Sequence, residues 1–92
     1  MIMENTNTCN EIIAIKELKL AQVDVCEQCV KMGTQWVHLR TCQSCGHTLC
    51  CDSSPEQHMS HHCRSSGHPV VISSEPGERW LYCYVHDLVQ EY

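Results

Sequence analysis

Apolar and polar side chains alternate over Trp36-Val37-His38-Leu39-Arg40, directly after the turn-forming Met32-Gly33-Thr34. A period of two predicts a strand there, with Trp36 near its start. Pro69-Val70-Val71-Ile72-Ser73 and Trp80-Leu81-Tyr82-Cys83-Tyr84-Val85 form two further strand-like runs, separated by the tight-turn composition Glu75-Pro76-Gly77-Glu78. An antiparallel hairpin is the expected result. Residues 53–66 carry helix signals instead: Ser54 as N-cap, Pro55 at the first helical position and Gln57 completing a capping box. Gly67, with Pro69 just beyond, marks the stop. Residues 11–26, EIIAIKELKLAQVDVC, suit either a strand or a short helix, and the loose alternation around Leu18, Leu20, Val23 and Val25 favours extended structure in the second half. Residues 1–8 are polar without a period and read as a disordered tail. The fold class expected is α+β, a single domain over 9–92 with a small twisted antiparallel sheet and one main α-helix.

Composition shows what this pattern lacks. In 92 residues there are 19 Leu, Ile and Val, no Phe, and only five Trp and Tyr side chains. So small an apolar inventory needs a staple. Nine cysteines could supply it as disulfides, but their number is odd, no signal peptide opens the chain, and they occur as CEQC and CQSC among seven histidines. These spacings suit tetrahedral zinc in a reducing, cytoplasmic setting. A formal net charge of −5 with six Lys and Arg speaks against a nucleic-acid partner. No apolar run approaches the ~20 residues that span a bilayer, so a membrane role is not expected.

Two C-x-x-C pairs, Cys26/Cys29 and Cys42/Cys45, can each supply half of a tetrahedral site. The other halves must come from Cys50, Cys51, His58, His61, His62, Cys63 and His68. On a helix His58, His61 and His62 share one face, which could feed two neighbouring ions. Spacing leaves open which pair Cys50 completes. His38 reads as a solvated strand residue, His47 and His61 as surface or supporting histidines, and Cys63 as a small buried hydrophobe.

The run CEQC, Trp36, CQSCGHTLC, HMSHHCRSSGHP and YCY resembles the UBP-type zinc finger, a module attached to many ubiquitin-specific proteases and also found alone in short bacterial proteins. The resemblance implies two interleaved zinc sites, Cys26, Cys29, Cys50 and His58 in one, Cys42, Cys45, His62 and His68 in the other. Cys51 rivals Cys50, since it lies at the usual family offset before His58, whereas Cys50 keeps the usual distance from Cys45. A third site found in some members maps onto Cys9, Cys83 and His86, with Glu11 as an oxygen ligand. The resemblance also implies that Trp36, Tyr82 and Tyr84 line a slot for the free Gly-Gly terminus of ubiquitin; Arg40, Arg64 or Arg79 could reach into it from elsewhere, and Arg40 is taken as the candidate. One departure stands out: Cys51-Asp52 occupies the place of the usual Gly-Arg, whose arginine contacts the bound tail.

Catalysis is not expected. H-E-x-x-H is missing, because Met59 follows His58, no H-x-E of the zinc deaminases occurs, and the ligands suffice to close two sites. The expected function is a zinc-stabilised module that binds a protein or peptide carboxy terminus. The alternative is a stand-alone zinc protein that does not bind ubiquitin and serves as a structural adaptor or a redox- or metal-responsive partner.

Overall fold

The computed structural model of the protein describes residues 9–92, so the tail expected over 1–8 lies outside the described residues. Five strands form one antiparallel sheet in the order β2-β1-β3-β4-β5: β1 (Leu39–Cys42), β2 (Thr48–Cys50), β3 (Val70–Ser73), β4 (Trp80–Cys83) and β5 (Leu88–Glu91). Three helices accompany it: α1 (Asn10–Ile13), α2 (Glu27–Met32) and α3 (His58–Ser66). The α+β class is as expected.

The β3–β4 hairpin also follows expectation, with Val71 opposite Tyr82 and Glu78 N–H closing the turn on the Glu75 carbonyl at 3.2 Å. All four residues of β3 are buried, because the central strand is covered on both faces. Val70 and Ile72 join Ile12, Leu81 and Cys83 in one apolar cluster, against which Ile15 and Tyr92 pack. Val71 joins Met59, Leu39, Leu49 and four cysteines in the other, with Trp36, Tyr82 and Tyr84 packed on it. Thiols thus make up half of the second cluster, as the thin apolar inventory requires.

The remaining elements depart from the sequence reading in instructive ways. The strand expected at 36–40 begins only at Leu39. Before it, the Val37 N–H donates to Ser54 Oγ at 2.8 Å, a side-chain partner in place of a ladder. That bond also explains why Ser54 is not a helix cap: it is buried, and its oxygen is already engaged. The helix starts at His58 instead, behind Gln57 in the left-handed region at φ 48°, and the first helical N–H, that of His58, finds the Cys50 sulfur at 3.2 Å. Its expected stop holds, since Gly67 adopts φ 76°.

Residues 14–26 form neither strand nor helix. Their backbone is held by Gln43, which is buried, accepts from Lys19 N–H at 2.7 Å and donates to the Lys19 carbonyl at 2.9 Å. Helix α2 comes from the first C-x-x-C itself. Cys26 caps it by accepting from Cys29 N–H at 3.3 Å, Glu27 and Lys31 complement its dipole, and Gly33 ends it at φ 74°. Glu27 then reaches β2, accepting from Thr48 N–H at 2.7 Å. Strand β5 closes the sheet after a turn in which Asp87 is left-handed at φ 55° and accepts from the Tyr82 hydroxyl at 2.5 Å.

Replacing Ser54 by Ala tests the revised helix start. The Ser54→Ala protein should lose about 1 kcal/mol in chemical denaturation through the orphaned Val37 N–H, while its helical circular dichroism stays unchanged. A drop in helicity would restore Ser54 as a cap.

Candidate metal clusters and binding cleft

Each C-x-x-C is placed by a local device that aims two sulfurs at one point. At Cys26 and Cys29 the device is the first turn of α2, and at Cys42 and Cys45 it is the β1–β2 turn, where Gly46 N–H bonds the Cys42 carbonyl at 2.8 Å and Gly46 adopts φ 81°. Cys50 ends β2 and His58 opens α3, so two element ends converge on the α2 pair.

The result is a cluster of Cys26, Cys29, Cys50 and His58. His58 Nδ1 lies 3.4, 3.3 and 3.5 Å from the sulfurs of Cys26, Cys29 and Cys50, and Cys29 and Cys50 are 3.8 Å apart. A tetrahedral ion with thiolates at about 2.3 Å and imidazole at about 2.0 Å spaces sulfurs about 3.8 Å apart and sulfur from nitrogen about 3.5 Å. The donor set fits. Burial pushes the Cys26 thiol up to about 12, and a cation at the centre of the group would favour its thiolate form. Cys51 is excluded from the group, because its side chain turns the other way to Ser54 Oγ at 3.6 Å.

A second cluster joins Cys42, Cys45, His62 and His68. Cys45 Sγ is 3.4 Å from His62 Nε2, Cys42 Sγ is 3.7 Å from His68 Nδ1, and the two imidazole nitrogens are 3.3 Å apart. Burial, helped by the neighbouring His68 and His47, holds His62 below its ordinary pKa and favours the neutral imidazole that can donate a lone pair. This cluster is more open than the first, with Cys45 exposed.

The third group, Cys9, Glu11, Cys83 and His86, draws on α1 and on the β4–β5 turn. His86 Nδ1 lies 3.8 Å from Cys83 Sγ and 3.0 Å from Glu11 Oε1. That carboxylate oxygen is buried, and beyond its contact with His86 it has no hydrogen-bond partner, an arrangement a cation at the centre of the group would suit. Three donor groups that could hold metal ions are thus assembled, and all nine cysteines are free of disulfides. The other histidines stay outside: His47 pairs with Glu27 Oε1 at 3.0 Å, and His61 Nδ1 accepts from Arg64 Nη2 at 2.9 Å.

One face of the sheet carries a cleft of about 190 Å³. Val71, Tyr82 and Val89 form its floor as register neighbours across three strands, and Cys51, Asp52 and Ser53 stand at its side. Arg40 and Trp80 also line it, the guanidinium 4.6 Å from the indole centroid. Tyr84 completes the wall, packing edge-on to Tyr82 at 4.9 Å. Of the four residues expected in a slot, Arg40, Tyr82 and Tyr84 meet here. Trp36 does not line this cleft; it packs on the thiol-rich cluster, and Trp80 stands in its stead. The sequence signal that could have found it is the period of two, which puts Trp80 on the same strand face as Tyr82.

Burial acts to raise the Cys51 thiol. Hydrogen bonding from Ser54 and from the backbone at Ser53 and His38, with the Arg40 charge, outweighs it and leaves the thiol below its ordinary pKa. The Tyr82 hydroxyl is pushed up to about 12 by burial and by its bond to Asp87.

The family model described as Zn-finger in ubiquitin-hydrolases and other protein matches residues 26–89. The solution NMR structure of protein RPA1320 from Rhodopseudomonas palustris is similar at a TM-score of 0.82 and 38% identity, over 95% of this chain and 84% of that one. Among curated proteins no relative matches. The match over 26–89 takes in the first two donor clusters and the cleft, and on that ground the chain belongs to the zinc-finger family of ubiquitin hydrolases and other proteins.

Proposed function

We propose that this chain is a zinc-stabilised binding module whose cleft takes the free carboxy terminus of a protein or peptide. In this reading Cys26, Cys29, Cys50 and His58 hold one zinc, Cys42, Cys45, His62 and His68 a second, and Cys9, Glu11, Cys83 and His86 a third. Donor spacings near those of a tetrahedral ion support the first two, and the convergence of Cys9, Glu11, Cys83 and His86 supports the third. The ions act by folding the chain, and the module works by binding rather than by catalysis. Free thiols throughout suit a reducing cytoplasm, and among the described residues no helix is long and apolar enough to cross a membrane.

The observation that carries the binding reading is Arg40, stacked on Trp80 at the side of an aromatic cleft. Stacking leaves guanidinium edges to donate to a carboxylate, and a narrow aromatic slot admits residues without bulky side chains. Asp52 lines the same cleft and opposes an incoming carboxylate. This favours a second reading, in which the partner is something other than ubiquitin and the protein serves as an adaptor or a redox- or metal-responsive partner.

Native mass spectrometry of protein purified without chelators should show three zinc ions, and His86→Ala should show two with the fold retained. Two ions in the parent protein would remove the third site. For the cleft, calorimetry with a Gly-Gly-ending peptide should show saturable binding that vanishes when the carboxylate is amidated. Arg40→Ala should weaken it roughly tenfold or more, the worth of a charge-assisted hydrogen bond. Asp52→Arg should tighten it. Equal binding of acid and amide would refute carboxylate recognition, and no binding of either form would leave the second reading.

A further inference from the structure

A second recess, of about 560 Å³, lies between α1, α3 and the end of β4. Its walls include Glu11, Ser60, Cys63, Arg64, Pro69 and Tyr84. Glu11 is the one member of the third donor cluster among its lining residues; Cys9, Cys83 and His86 are not. Glu11 therefore belongs to both the recess and the cluster, with Oε1 buried at 3.0 Å from His86 Nδ1. Among the described residues Arg64 is the one basic side chain lining the recess, and it suits an anion.

The four donors of the third cluster are unequal. Cys9, Cys83 and His86 form a two-thiolate, one-imidazole set, which in zinc proteins leaves a fourth position for an exchangeable ligand. Glu11 fills that position with the donor least common in closed structural sites, from a side chain about one-third exposed on a four-residue helix. In the first cluster, by contrast, three donors are fully buried cysteines.

We propose that Glu11 is an exchangeable fourth ligand and that the recess admits a small carboxylate with an apolar body, which takes Glu11's place at the third metal. The inference rests on the reading that this cluster holds a metal. Glu11 itself shows that the position accepts a carboxylate. The exchange balances: one oxygen–metal bond breaks, one forms, and a single negative charge replaces another, so no proton or electron is transferred. Arg64, also in the lining, would meet a polar group of the ligand, and Pro69, Tyr84 and Val85 offer the apolar wall.

Cobalt substitution tests this directly, because the visible bands of Co(II) report its ligands. With three cobalt ions counted by native mass spectrometry, sodium phenylacetate should shift the bands of one ion saturably, and uncharged phenylacetamide should not. Glu11→Ala should bind phenylacetate about tenfold more tightly, since the competing internal carboxylate is gone; if that variant holds only two ions, phenylacetate should restore the third. Arg64→Ala should weaken the effect several-fold. An unchanged spectrum in both the parent and Glu11→Ala, with three ions bound, would overturn the exchange. Loss of cobalt to phenylacetate would also overturn it. Only two ions in the parent protein would overturn the metal reading beneath it.

Discussion

The meeting of Cys50 and His58 with the Cys26–Cys29 turn is the joint on which this fold depends. It ties the start of α2, the end of β2 and the start of α3 to one point, and its three sulfurs are fully buried. The same atoms also do the work of capping, since Cys26 accepts from the first turn of α2 and Cys50 from the first N–H of α3. Buried thiolates with no cation would be strongly unfavourable, and the raised Cys26 thiol expresses that cost. A structural zinc contributes on the order of 10 kcal/mol to folding, the scale of a small domain's whole stability. With zinc bound as proposed, the sheet's own small apolar clusters, with no Phe, would make that contribution decisive.

Much of this was legible in the chain because its signals are local. C-x-x-C pairs and the turn between two strand-like runs each constrain neighbours in sequence, and the β3–β4 hairpin follows; the donor groupings came with the family resemblance, since spacing left open which pair Cys50 completes. What was not legible rests on partners distant in sequence. Ser54 looks like a cap until Val37, seventeen positions away, is seen to use it. The irregular path of residues 14–26 depends on Gln43, twenty-four positions from Lys19, and no periodicity records such a clamp. Helix α2 was hidden because a C-x-x-C reads as a bare turn, although Glu27, Lys31 and Gly33 carry ordinary helix signals. Trp36 lies away from the cleft for a similar reason: the strand starts three residues later than the alternation suggests, so Trp36 lies before the sheet.

The cleft and the donor clusters are mechanically linked. Cys51, Asp52 and Ser53 line the cleft immediately after Cys50, and Tyr82 and Tyr84 flank Cys83. Whatever fixes the donors fixes the cleft walls on either side. The same adjacency puts Asp52 beside Arg40 in one small space, so the cleft combines a cation on an aromatic face with an opposing acid. This balance of charge distinguishes it from a site built solely to hold a carboxylate, and the loop carrying Asp52 lies outside the sheet ladder.

The central claim is that metal at the donor clusters, rather than apolar packing, holds the fold. The most direct measurement is the amide spectrum of the ¹⁵N-labelled protein before and after a strong chelator strips the metal, with removal verified by mass spectrometry. The account predicts that dispersed resonances from the sheet and from α3 collapse together and return when zinc is restored. Retention of a dispersed spectrum in metal-free protein would contradict it.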